Sequence, residues 1–554
     1  MPPITSTSAE LFLTPDHIEK ATSEIRLDSA PGPDGIPAVL LKRCAKSLSV
    51  PMHLLWSESM ASGIVPRFYK TGHVTPLFKK GSKCDAGNYR PVTLTSHVVK
   101  IYERVVRKHM IEHLEANNLL SDKQHGFRSN RSCLTQMLDH FDDILEGFTQ
   151  AKDTDSIYLD FAKAFDKVDL ELLLLKLKKY GFHEKLLTWI HSFLSERNQV
   201  VVLNGIHSYI AKVVSGVPQG SVLGPLFFIL FINDLEQVVR SSNVRFFADD
   251  TRVSKHISST KDCQLLQADL FNILEWSRCN NMKLHEQKFE LLNHLHEKSN
   301  SLSELPFFNE SMLYKVSGDV ILRPVDAVRD LGVIVSSDVT WSSHIGTMVC
   351  KARSTLSWVF SVFKTRDTTV MITLYKSLVR SLLEYCCPLW DPIKVKEIQL
   401  LEGVQRTFTS RIGGLYTKNY WERLAHLKLM SLQRRRERYV ILMMWKVLKG
   451  VVPNCCNIQF AQTSRHGVRA IIPSLSRASS LSNQTLYDGS FAVRGPKLWN
   501  MVPDSVKAEN TFDGFKTSLS EFLTSIPDNP PVPGYTPSWS NSLVDYSPTR
   551  WSEI

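Results

Sequence analysis

Apolar and polar positions alternate with different periods in different parts of the chain. Val98, Tyr102, Val106, Met110 and Leu114 recur every four residues, which predicts an amphipathic helix over about 96–116. Similar patterning predicts helices over 132–148 and 262–279. "SIYLDFAKAFDKV" reads as a strand running into Asp160, then a turn and a helix. That helix ends at "KLKKYGF", with Lys178 and Lys179 in its last turn and Gly181 just beyond, where a helix C-terminus favours them. "NQVVVL", Asn204-Gly205 and "IHSYIAKVV" predict a hairpin. "SGVPQGSVLGP" is a loop of small residues leading into an apolar helix at 225–235, and "VRFFADDTRVSKHI" predicts strand, tight turn, strand. Upstream, 14–48 reads as two helices about the turn "SAPGPDGIP". Short extended chain over 66–78 then enters the basic loop "KKGSKCDAGNYRPVTL". Irregular alternation with several antiparallel signals predicts an α+β fold, a sheet backed by helices. Residues 341–450 read as mostly helical and hold the basic run Arg434, Arg435, Arg436 and Arg438. Residues 451–525 are mixed, and 526–554, rich in Pro and Ser, predict a flexible tail.

Composition bears more on partners than on fold. The 554 residues allow about two to four domains, and 43% hydrophobic with 22% charged residues is an ordinary globular balance. Net charge is +11 and the pI about 9.0, which favours a polyanionic partner. Residues 67–131 carry thirteen Lys or Arg against five Asp or Glu, most of that surplus, and predict a phosphate-binding patch. The ten cysteines include the adjacent pairs Cys386-Cys387 and Cys455-Cys456 and no CxxC, so reduced thiols and no structural zinc are expected. The N-terminus has neither the basic nor the apolar region of a signal peptide, and "LFFILFI" is too short to span a bilayer. A soluble intracellular protein without a membrane partner is expected.

The chemistry centres on "FFADDT". Asp249 and Asp250 sit side by side at the end of an apolar strand, although neighbouring carboxylates repel and resist burial. If the strand ending at Asp160 lies beside them, three carboxylates meet at one sheet edge. Such a group suits Mg²⁺, which takes oxygen ligands and fills its shell with waters and substrate phosphates. Two such ions about 3.5–4 Å apart activate an attacking hydroxyl and stabilise a leaving pyrophosphate. Taken singly, a DD pair in a turn reads as solvated, and an apolar strand ending in Asp is commonplace.

The order of motifs is more specific than any one of them. "APGPDGIP", "TPLFKKGS", "NYRPVTLTS", "LLSDKQHGFRSNRSC", "YLDFAKAFDKV", "SGVPQGSVLGPLFFILFINDL" and "FFADDT" follow one another, then "MKLHEQKFELL", "RDLGVIV" and "SFAVRGPKLWNMVPDSV". Across most of 14–525 the chain resembles the reverse transcriptases of non-LTR (LINE-type, jockey-like) retrotransposons. The resemblance implies a right-hand polymerase: a helical extension over 1–66, fingers and palm over 67–335, a helical thumb-like region over 336–450 whose basic faces track the primer–template, the element's C-terminal region over 451–525, and the tail at 526–554.

It further implies Mg²⁺, with Mn²⁺ as the alternative ion, held by Asp160 and Asp249 with Asp250 supporting. Phe165 would be the aromatic gate against a ribose 2′-OH, beside Phe161 in the nucleotide site. Lys79 or Lys80 and Arg90 would grip the triphosphate, and Gln219 would contact nucleotide or template. Lys288 would protonate the leaving pyrophosphate, although His285 stands where the family's pattern has Asn. Leu331 and Gly332 would form the primer-grip turn. Structural alternatives stay open beside these roles: Lys79 and Lys80 as a solvated surface pair, Phe165 as a core aromatic, "GVPQG" as a plain turn.

The implied partners are an RNA template, a DNA primer or nicked target DNA, and deoxynucleoside triphosphates, in the nucleus or a cytoplasmic ribonucleoprotein. Full-length elements of this kind usually carry an endonuclease upstream, and with roughly 80 residues before the basic loop no such domain is expected within this sequence. Two rival readings are a catalytically inactive or co-opted nucleic-acid-binding remnant, which the intact Asp160, Asp249 and Asp250 oppose, and an RNA-templated RNA polymerase, which Phe165 opposes.

Overall fold

A computed structural model describes residues 7–296, 314–316, 320–463, 467–473, 481–526, 528 and 542–545. The N-terminal segment forms α1 (Pro15–Ser23), α2 (Ala38–Arg43) and α3 (Ala45–Ser62). Strands β1 (Thr71–Phe78) and β2 (Tyr89–Leu94) flank the basic loop. They are followed by α4 (His97–Ala116), α5 (Cys133–Thr149) and β3 (Asp153–Leu159). Helices α6 (Leu170–Lys179) and α7 (Glu184–Leu194) precede β4 (Arg197–Leu203), β5 (Ile206–His207) and β6 (Ala211–Val213). Then come α8 (Gly224–Ile232), β7 (Asn243–Phe247), β8 (Asp250–Ile257), α9 (Thr260–Cys279) and β9 (Glu290–His294).

Two sheets frame this half. One has the order β2-β1-β4-β5 with β6 also on β4, and β1 runs parallel to β4. The Asn204-Gly205 hairpin forms as expected, both residues taking positive φ. The other sheet is antiparallel, in the order β7-β8-β3-β9. Its strands divide two cores through the period-two alternation of side chains. Ile157, Leu159, Val253 and Leu291 face a core built with α1, α3, α4 and α6–α9, whereas Tyr158 and Leu292 face a second core.

That second core takes α5, the hairpin β10 (Ala327–Asp330) and β11 (Val333–Ser336), and a long helical region. The region comprises α10 (Ser342–Val362), α11 (Thr368–Leu374), a π-helical turn at Tyr375–Arg380, α12 (Ser381–Glu384), α13 (Cys387–Trp390), α14 (Val395–Ser410), α15 (Tyr420–Leu427) and α16 (Leu432–Leu448). The hairpin β12 (Phe460–Thr463) and β13 (Gly467–Ala470) follows, with α17 (Leu481–Gly489), α18 (Phe491–Asn500), α19 (Asp504–Lys507) and α20 (Phe512–Ser525). Helices on both sides of residue 450 share this core. Among the described residues no helix is long and apolar enough to cross a membrane, and all ten cysteines are free thiols.

Three expectations change. The basic run on α16 is interior: Arg434 and Arg436 are buried and Arg435 pairs with Glu384, because α16 packs between α13, α14, α18 and α20. Its faces are therefore not free to track a phosphate backbone. The surplus over 67–131 is not one patch either. Lys70 is buried, Lys100 and Arg104 are largely withdrawn from water, and Arg131 pairs with Asp122, while Lys79, Lys80, Lys83 and Arg90 stay exposed. Most of the expected tail lies outside the described residues, but its described pieces are docked. Leu543 is fully buried, Ser542 Oγ donates to Glu437 Oε1 at 2.5 Å, and Ser431 Oγ donates to Asp528 Oδ1 at 2.7 Å.

Candidate active site

The buried run of β3 ends at Leu159, which pairs with Thr251 on β8. Asp160 therefore emerges beside the turn that carries Asp249 and Asp250, in neighbouring hydrogen-bonded strands. Ala248, at φ 57, makes the sharp turn between β7 and β8. A glutamine holds that turn from behind: Gln124 Oε1 accepts from Ala248 N at 3.0 Å and Gly126 N at 2.7 Å.

The three carboxylates feel one another. Burial pushes the Asp249 carboxyl above its ordinary range and Asp160 adds to it, while Arg90 and Lys79 pull it back. Asp250 is pushed up to about 6 by burial, then by Asp249, Asp330 and Asp160, with Lys79 opposing. Asp160 is half exposed and accepts a hydrogen bond from Lys288 Nζ at 2.7 Å. Lys288 reaches it because the 280s run alongside: His285 N donates to Asp160 O at 2.7 Å and Ala162 N to Lys283 O at 2.8 Å. Among the described residues no three His, Cys, Asp or Glu side chains already stand close enough to hold a metal ion. The donor set still fits a hard divalent cation: three crowded carboxylates, of which Asp160 bears the Lys288 ammonium and Asp249 and Asp250 have no direct ion pair among the described residues.

The loops around the carboxylates are tightly interlocked. Gln219 Nε2 donates to Asp166 Oδ1 at 2.8 Å, and Gln219 O accepts from Thr93 N at 2.8 Å. A Cβ at Gly220 would lie 2.2 Å from Thr93 O and one at Gly216 2.7 Å from the Asp166 backbone, and both residues have positive φ. Only glycine lets this loop seat against β2 and the turn after β3. Phe165 is half-buried, stacks on Phe228 at 4.4 Å and meets Phe127 edge-on at 6.0 Å. Phe161 departs from the expectation. Its side chain is 4% exposed and packs edge-on to Trp276, so it belongs to the core, and its strand-like backbone bridge to Leu284 explains the inward orientation. Lys80 is exposed in the loop after β1. Leu331 and Gly332 form the tip of the β10–β11 hairpin, whose Asp330 charge reaches Asp250.

Glu103 is a positioning group that pattern reading missed. Fully buried on α4, its Oε2 accepts from Val222 N at 2.7 Å and Leu223 N at 3.0 Å, tying the loop before α8 to the helix. The signal was present: Glu103 occupies an apolar-face position, four residues after Val99 and three before Val106.

Comparison with known proteins adds the family. Residues 78–335 match the family of reverse transcriptases (RNA-dependent DNA polymerases). The chain is 24% identical over 396 residues to the probable RNA-directed DNA polymerase from transposon X-element of Drosophila melanogaster, covering 70% of this chain and 42% of that protein. It is 24% identical over 414 residues to the RNA-directed DNA polymerase from mobile element jockey of the same species, covering 73% and 44%. The R2 retrotransposable-element polyprotein of Popillia japonica is 29% identical over 213 residues, covering 37% and 28%. The chain thus spans less than half the length of these relatives. The matched residues include every sequence-predicted site residue from Lys79 to Gly332.

Proposed function

We propose that the chain is the RNA-directed DNA polymerase of a non-LTR retrotransposon, extending a DNA primer on an RNA template. The observation that carries this reading is the end-to-end placement of Asp160 beside Asp249 and Asp250, with the proton affinity of the last two raised. In this reading the sheet of β1, β2 and β4–β6 serves as fingers, the β7-β8-β3-β9 sheet as palm and the α10–α16 region as thumb. Asp160 and Asp249 would hold Mg²⁺ ions with Asp250 supporting. When bound, the ions would ease deprotonation of the primer 3′-hydroxyl and take up charge on the leaving pyrophosphate.

The chain's own groups do the rest. Lys79 and Arg90, whose fields already reach Asp249, neutralise the triphosphate as charge shifts toward the leaving oxygens. Lys288, whose ammonium group meets Asp160, would hand its proton to the leaving pyrophosphate. Phe165, stacked on Phe228, would clash with a ribose 2′-OH and so select deoxynucleotides. Gln219, held by Asp166, would contact the nucleotide or template. Primer extension with purified protein, Mg²⁺ and dNTPs tests the assignment. Asp249→Asn should abolish incorporation, and equal incorporation with and without that change rejects the reading.

A further inference from the structure

The tip of the β10–β11 hairpin is gripped from two sides. On one side Asp330 pairs with Arg252, both buried. Arg252 lies two residues beyond Asp250 on β8 and stands over the Tyr158 ring at 5.4 Å, and Tyr158 in turn lies two residues before Asp160 on β3. The turn end of the hairpin is thus fixed to the strands that carry the carboxylates. On the other side stands Tyr385, from the break between α12 and α13. Its Oη donates to Leu331 O at 2.7 Å. Its ring covers Gly332, where a Cβ would lie 3.3 Å from Cε1.

The tip needs such a hold. Leu331 has φ 44 and Gly332 φ 89, so a branched residue sits in the left-handed region that disfavours it. The tyrosine is itself anchored: Tyr385 O accepts from Trp390 Nε1 at 2.8 Å, and Trp390 is fully buried. The next residue, Cys386, turns the chain at φ 52. The Tyr385 side chain, by contrast, is 42% exposed beside the tip, so packing alone does not account for its place.

We infer that Tyr385 is a positioning residue for the primer terminus, transmitting the position of the α10–α16 region to the Leu331–Gly332 turn. This rests on the polymerase reading and on that turn meeting the primer. Helices that close over a primer–template carry Tyr385, and through one hydrogen bond and one ring contact they set the turn relative to Asp250. The hydroxyl acts on primer placement and does not touch the reacting atoms.

The test compares Tyr385→Phe with wild type in steady-state extension of a DNA primer annealed to an RNA template, with Mg²⁺. The ring remains, so the Gly332 contact and the fold remain, and an unchanged thermal midpoint checks this. Loss of one hydrogen bond should raise KM for primer–template about five- to tenfold. It should leave kcat and KM for dNTP within about twofold and increase extension from a mismatched 3′ end relative to a matched one. Tyr385→Ala should do the same more strongly. An active wild type with a Phe variant equal to it, or a kcat loss at constant primer KM, overturns the inference alone. A wild type that extends no primer overturns the polymerase reading and the inference with it.

Discussion

The molecule holds two clusters of charged side chains, and they are built on opposite plans. At the end of the β7-β8-β3-β9 sheet, Asp160, Asp249 and Asp250 crowd together; Lys288 pairs with Asp160, while Asp249 and Asp250 repel each other without a direct ion pair among the described residues. Around α16, five arginines gather on three carboxylates: Arg434 lies 4.0 Å from Glu437 and Arg380 3.5 Å from Glu384, besides Arg435, Arg436 and Arg494. Asp391 takes Arg436 Nε at 2.8 Å and Arg494 Nε at 2.9 Å, Glu437 takes Arg494 Nη2 at 3.3 Å, and Glu384 takes Arg435. In the second cluster every carboxylate is largely buried and ion-paired, whereas the first is reachable from water and its Asp249 and Asp250 have no direct ion pair among the described residues. A paired buried set has no need of a ligand and joins α13, α16 and α18 into one core. Adjacent carboxylates without ion pairs at a sheet edge leave charge for a ligand to neutralise.

Each prediction acts on that contrast. The largest effect is the loss of incorporation in Asp249→Asn, on the order of 10³-fold or more, or about 4 kcal/mol of transition-state stabilisation. Removing a like charge there should leave the thermal midpoint unchanged or slightly higher. Asp391→Asn should do the reverse. It leaves Arg436 and Arg494 buried without their carboxylate and should cost about 3–5 kcal/mol of stability, seen as a lower urea midpoint. A midpoint within about 0.5 kcal/mol of wild type would deny that the paired cluster is structural.

Phe165→Val should raise ribonucleotide relative to deoxynucleotide incorporation by about tenfold or more, the scale of a steric pocket contact. An unchanged ratio removes the gate. The smallest effect concerns Asp142 on α5, pushed up to about 7 by burial and by Asp139, Glu146 and Asp143. Its folded pKa lies above the unfolded value of about 4, so the folded state binds more protons between the two, and stability falls as pH rises across that window. Asp142→Asn should flatten this decline and stabilise the protein at pH 8. A variant with the wild-type pH profile would show that Asp142 does not carry the effect.

Much of residues 78–335 was legible because the signals there are local. The four-residue spacing on α4, the Asn204-Gly205 turn and the apolar runs leading into Asp160 and Asp249 each dictate an element without help from distant chain. That β3 lies beside β8 was the condition for the carboxylates to meet, and the register meets it. What pattern reading could not supply depends on partners far apart in sequence. Four arginines in five positions look like a surface run until Asp391, Glu384 and Arg494 are seen around them. Phe161 adjoins a catalytic candidate in sequence yet points into the core, since successive residues of extended chain face opposite ways. The hold of Lys288 on Asp160 spans 128 residues, and that of Tyr385 on Leu331 spans 54.

Divalent-ion binding tests the central claim without requiring turnover. Titration of the protein with Mn²⁺, followed by the free-ion electron paramagnetic resonance signal, should reveal saturable binding in wild type, most of it lost in Asp160→Asn and in Asp249→Asn and unaffected by Asp391→Asn. Saturable binding that survives both sheet-edge substitutions, or no binding at all, would contradict the account.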